Sequence, residues 1–279
     1  MTDDAPGSGG GSFFVTENRE RSNIQSEVIA MPIHDWTRAP SGYFHHFHQR
    51  WAGAICDALN AGRLPGGIFA LVEQHSEGLV PDVLALEMRP PQERDWSSGR
   101  GGVALASEPP KTRFVSRASE DLVYAARANR VAIHREDETI AVIEIVSPGN
   151  KSSVFALQQF VDKSFEFIER GIHLLVVDLF PPTRRDPEGM HPAIWGRING
   201  EPFALPEDKQ LTLASYVAGS GKTAYVDPVA VGDRLPDMPI FLDARTYVRV
   251  PLEETYEATW KVCPEEFRQR VTGGHGSGV

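Results

Sequence analysis

Residues 140–151, IAVIEIVSPGNK, form an apolar run of strand character that carries one acid, Glu144, and breaks at Ser147-Pro148-Gly149-Asn150. A carboxylate inside such a run is costly to bury unless it is paired, hydrogen-bonded or bound to a cation. Glu144 therefore asks for a partner. Working outward, residues 80–88 (VPDVLALEM) read as an earlier strand with Asp82 near its start, residues 154–170 as a helix, and residues 173–180 (HLLVVDLF) as a buried strand.

Further out, residues 43–60 place Phe44, Phe47, Trp51, Ile55 and Leu59 at intervals of three and four, the pattern of a helix with one apolar face. Gly62 and Pro65 end it. Residues 68–75 read as a first strand, and residues 124–134 and 139–146 as a hairpin about the REDE turn. In the helix after Glu144 the expected buried stripe is Val154, Leu157, Val161, Phe165 and Ile168, with Gly171 as its C-terminal cap. Residues 181–195 read as loop; residues 210–218, 240–242 and 247–250 are short strand candidates, and residues 252–261 a short helix.

The 279 residues and 41% apolar content are enough for a sizeable core. Residues 1–30, rich in Gly and Ser, are expected to be a disordered tail, with Met31 a candidate start. Residues 31–270 are expected to form a single domain with a surface insertion at 90–111, followed by a flexible tail at 271–279. Net charge is −10, of which −3 comes from five acids and two bases in the first thirty residues, so −7 remains for the domain. That balance, without any Lys/Arg run, excludes a strong non-specific DNA-coating role but not a narrow basic cleft. Cys56 and Cys263 are widely separated and form no CxxC pattern, so neither a disulfide framework nor a zinc cluster is expected. No apolar stretch reaches the ~18 residues of a membrane span, and no signal-peptide pattern opens the chain. The expectation is a soluble cytoplasmic protein that makes no use of a membrane, with a homodimer left open.

The chemistry suggested is that of two acids on neighbouring strands. Asp82 and Glu144, brought to one end of a sheet, would repel each other until a hard cation, Mg²⁺ or Mn²⁺, relieved the repulsion. A lysine beside them would orient water and offset charge on a phosphoryl transition state. Lys151, after the turn, and Lys163, on the helix, are the candidates; Glu73, on the first strand, is a candidate third ligand and Gln159 a candidate lining residue. Against this stand plainer readings: Asp82 as a turn residue, Glu144 in a buried ion pair with Arg130, and both lysines as solvated side chains.

Pro81-Asp82, Glu144 within IEIVSP, Lys163 eight residues before Gly171 and the VVDL strand together resemble the PD-(D/E)XK, or restriction endonuclease-like, superfamily. They are especially similar to Uma-type bacterial endonucleases, in which the lysine lies on the helix after the third strand. MPIHDW, PDV, IEIVSPGNK and YVDPVAV, in that order, also resemble an uncharacterised bacterial family, domain of unknown function 4058. The resemblance implies an α/β fold with an αβββαβ core, a central mixed sheet flanked by helices, and here a C-terminal β-rich extension. It implies a magnesium-dependent endonuclease, a hydrolase of phosphodiester bonds with nucleic acid as partner. The alternative is a catalytically inactive descendant of that fold serving as a binding or scaffold module. Two departures stand out: Val146 occupies the place of the usual E-x-K lysine, and the 90–111 insertion lengthens the path from Asp82 to Glu144.

Other motifs carry less. His45, His46 and His48 do not converge on one helix face and lack the Glu of HExxH, so packing and surface roles are expected. GSGKT at 219–223 imitates the end of a P-loop, but Tyr216 stands where its first glycine belongs and no helix pattern follows.

Overall fold

A computed structural model describes residues 33–74, 129–198 and 202–272. All of them belong to one compact unit, Met31–Val279. Helix α1 (Ser41–Asn60) leads into β1 (Ile68–Gln74), and β2 (Asn129–Arg135) and β3 (Glu138–Ile145) form a hairpin whose turn places Glu136 at φ 53°. After the 3₁₀ turn Pro148–Lys151 come α2 (Val154–Glu169), β4 (His173–Asp178) and α3 (Met190–Ile198). Strands β5 (Leu211–Val217), β6 (Thr223–Val229), β7 (Met238–Phe241) and β8 (Tyr247–Val250) follow, then helices α4 (Leu252–Lys261) and α5 (Glu265–Val271).

The first six strands form one sheet in sequence order, and β7 with β8 forms a second, two-stranded one. Only the β3–β4 pairing is parallel, and α2 makes the crossover it requires. The class is therefore mixed α/β, with helices on both faces of the sheet. On one face, Val142, Val146, Leu174, Val176, Ala214 and Tyr216 pack with residues of α2 and α3. On the other, Ile143, Ile145, Leu175, Val177 and Leu213 join α1, α4, α5 and the β7–β8 hairpin in the larger core. Strand β4, covered on both faces, is buried along its whole length, as its unbroken apolar reading requires.

Helix α1 buries Phe44, Phe47, Trp51, Ile55 and Leu59, the five positions its spacing marks, and Asn60 ties its end to β1 through Ala70 N–H (2.8 Å) and C=O (2.9 Å). The stripe of α2 is different from the expected one. Leu157, Val161 and Ile168 are buried, but Val154 and Phe155 are exposed and Phe165 is half-buried; Ala156, Phe160 and Ser164 complete the buried face. The helix is capped by the Ser153 side chain, which accepts from Ala156 N–H, so Val154 and Phe155 sit in its first turn. Two helices, α3 and α5, occupy stretches without a strong apolar period, and β6 begins inside GSGKT. With Thr223 opening a strand rather than a helix, that segment is a β-turn connection and not a phosphate loop.

Candidate functional site

Glu144 lies near the end of β3 on the α2-facing side, two residues from Val142 and from Val146. Its side chain is 8% exposed, and Oε2 accepts from Lys163 Nζ, 3.3 Å away on the second turn and a half of α2. The ammonium also lies 5.0 Å from the centre of the Phe160 ring, one helical turn earlier. Glu144 Oε1 is buried and has no hydrogen-bond partner among the described residues. A carboxylate oxygen left so is costly, which gives the site an open claim on a proton or a cation.

Arg130 does not take Glu144, as one plain reading had it. It sits one residue before Val131, which pairs with Ile143, and its guanidinium binds Glu73 Oε2 at 3.0 Å instead. Glu73 Oε1 meets His134 Nε2, also at 3.0 Å. Both oxygens of Glu73 are thus engaged by side chains of β2. Glu73, expected as a third metal ligand, is placed instead in contact with Arg130 and His134.

Lys151 is a second correction. Its Nζ is buried, 2.7 Å from Asp178 Oδ2 and 2.9 Å from Asp186 Oδ2, and it donates to the Phe180 carbonyl at 2.9 Å. Its three N–H groups are taken up by the Phe180 carbonyl, the Pro181 carbonyl at 3.3 Å and the two carboxylates it pairs with. Burial works against its charge, but Asp178 and Asp186 outweigh that, so its pKa lies above the ordinary lysine value. The turn that delivers it is closed by Asn150, whose Oδ1 accepts from Ser147 N–H and Oγ, each at 2.8 Å. Asp186 is held in turn by Thr183 N–H at 2.9 Å and by the Thr183 hydroxyl. Lys151 therefore clamps the SPGNK turn to the segment after β4 and is not the lysine beside Glu144.

His48, expected from the sequence only to pack or lie at the surface, is linked electrostatically to Lys163. His48 is fully buried, stacked on Phe44 at 5.9 Å, and held neutral: burial, then the positive charges of His45 and Lys163, push its pKa down to about 3, against a hydrogen bond with the Asn129 backbone. His45 and His48 are three apart and share a helix face, while His46 points to solvent. The spacing in YFHHFHQRW was the available signal, but only the sheet could say which side chains it faces. Gln159 is exposed.

Asp82 lies outside the described residues. Among the described residues no group of three or more His, Cys, Asp or Glu side chains could hold a metal, and no helix is long and apolar enough to cross a membrane. What the arrangement offers chemically is a buried carboxylate with one oxygen on a lysine and one that has no hydrogen-bond partner among the described residues. No protein-family model, no curated protein and no solved structure matches the chain significantly.

Proposed function

We propose that this chain is a divalent-metal-dependent nuclease of the restriction endonuclease-like kind, akin to domain of unknown function 4058 and to the Uma-type endonucleases. The observation that carries the reading is the Glu144–Lys163 pair: a carboxylate on the third of the described strands, in a helix-strand-strand-strand-helix-strand order of described elements, met at 3.3 Å by a lysine from the helix that follows. Lys163 stands where Val146 cannot, one residue type restored from a different element. The free, buried Oε1 of Glu144 suits a hard cation, and Glu144 with Asp82 would hold Mg²⁺ or Mn²⁺. Such an ion would supply Lewis-acid polarisation of the scissile phosphate. Lys163 orients the attacking water and offsets developing negative charge.

The test is purified protein with Mn²⁺ on mixed single- and double-stranded DNA and RNA, beside Glu144→Ala and Lys163→Ala. Cleavage lost in both variants supports the proposal; cleavage equal in Glu144→Ala would trace to a contaminant. A second reading, an inactive binding module on the same fold, draws on the low exposure of the pair, 8% for Glu144 and 12% for Lys163. It predicts no cleavage with any metal while nucleic acid or protein binding persists.

A further inference from the structure

On the other side of the sheet, near the β6 edge, a cleft of about 400 Å³ opens between β6 and the β7–β8 hairpin. Tyr225 on β6 pairs with Ser215, whose neighbours Ala214 and Tyr216 face α2, so Tyr225 stands on the face away from Glu144. Its walls are Tyr225, Pro239, Phe241 and Tyr247, and its rim carries Arg245 and Arg249. Phe241 is buried and forms the floor: its ring lies 5.3 Å from that of Tyr225, at 24°, and 5.3 Å from that of Tyr247, at 51°. The two tyrosines, grouped on one floor, are left 49% and 47% exposed.

Both arginines are exposed, and neither forms an ion pair with any acid among the described residues. The acid that is close by in sequence, Asp243, spends its Oδ1 on the N–H groups of Arg245 and Thr246, each at 2.8 Å. In a chain of net charge −10, two unpaired guanidiniums beside three coupled rings form a local reversal of the surface charge. Flat π-faces with flanking cations fit a flat ring that carries an anion: rings stack on rings, and a guanidinium takes a phosphate as a bidentate pair.

We infer that the Tyr225/Tyr247 cleft binds a nucleobase together with its phosphate, the base stacking on the exposed tyrosines and Arg245 and Arg249 holding the phosphate. This site is separate from the Glu144–Lys163 pair and does not rest on the nuclease reading, because it is read with no cleavage taking place. The chemistry is shared by a free nucleotide and by a unit of a single strand. The volume accommodates about one such unit at a time, so a strand would be held by one or two of its bases.

The test is anisotropy of a fluorescein-labelled oligothymidylate with the full chain in EDTA, competed by thymidine monophosphate and by inorganic tripolyphosphate. The expected result is saturable binding, weakened about tenfold in Tyr225→Ala/Tyr247→Ala and at least as much in Arg245→Ala/Arg249→Ala. The affinity should also fall with salt at a log–log slope of about −0.7, for the one phosphate held on a single strand. Competition by the monophosphate identifies a free-nucleotide site; resistance to it identifies a strand site, and either supports the inference. The inference is overturned if wild type does not bind, if the tyrosine pair binds as wild type does, or if tripolyphosphate competes as well as the oligonucleotide. All four side chains are exposed, so unchanged circular dichroism and melting of the variants separate lost binding from lost fold.

Discussion

Lys151 Nζ and Asp178 Oδ2 are 2.7 Å apart in a place that water does not reach, the side chains being 4% and 3% exposed. The lysine comes from the turn after β3 and the aspartate from the end of the neighbouring parallel strand, so the pair ties the two strand ends that also frame Glu144. Removing the cation leaves two buried carboxylates, Asp178 and Asp186, facing each other. Lys151→Met is expected to cost about 3–5 kcal/mol in urea unfolding. Asp186→Asn should cost less, about 1–3 kcal/mol, because an amide oxygen can still accept from Thr183 and the remaining charges balance one to one. If Lys151→Met unfolds like wild type, the clamp has been misread.

The same ammonium sets an alkaline limit. Its folded pKa lies above the ordinary value of 10.5, so the folded state keeps its proton where the unfolded chain begins to lose it. The contribution is whole below about 10.5 and is lost as pH rises through the folded value. Unfolding midpoints of wild type should fall above that pH, and those of Lys151→Met should fall less.

How far the amino acids announced this arrangement depends on the kind of information each position carries. Periodicity was sufficient for α1, because one apolar face at a fixed spacing needs no knowledge of a partner, while the REDE turn marked the β2–β3 hairpin, and early glutamates with a terminal lysine marked α4, whose bounds match the expected 252–261. It misled at α2, where Val154 and Phe155 are as apolar as a core residue and are exposed all the same. Helices α3 and α5 were missed because short amphipathic segments gain their order from the surface they land on. At the site, the odd acid in an apolar strand announced that Glu144 needs a partner, and the lysine that meets it, Lys163, was one of two lysines named. Choosing between them needed Asp178 and Asp186, an acid closing an apolar strand and an acid in a Pro-rich loop, whose distance from Lys151 no spacing rule encodes.

Glu144 and Glu73 stand on the same sheet and are expected to answer differently to one substitution. Glu144→Gln removes the charge opposite Lys163 and the free oxygen together, so it should abolish Mn²⁺-dependent cleavage. It should also erase the rise in melting temperature on adding Mn²⁺, a rise that for wild type corresponds to about 2.7 kcal/mol at a hundred times Kd. Glu73→Gln loses a partly exposed ion pair with Arg130 and a contact with His134, which should cost about 1 kcal/mol or less and leave both the metal response and cleavage intact. Equal losses in the two variants would return Glu73 to the ligand set; a metal response surviving in Glu144→Gln would place the ion elsewhere.

His48 makes acid stability a readout of the same corner. Its folded pKa of about 3 lies below the unfolded 6.5, so between these values the unfolded chain binds a proton that the folded one refuses. Stability is complete above about 6.5 and declines as pH falls toward 3. His34 and His191, each lowered by burial to about 4, push in the same direction, so the decline in wild type is a sum. His48→Leu removes one share of it, and the urea midpoint of this variant should therefore fall less steeply from pH 6.5 to 4 than that of wild type. Lys163→Met tests the electrostatic part separately: with one of the two repelling cations gone, His48 should titrate at higher pH, a shift visible in the imidazole proton resonances. If its resonance does not move, Lys163 is not a charge that His48 feels, and the corner that α1, β3 and α2 are proposed to share is not a single site.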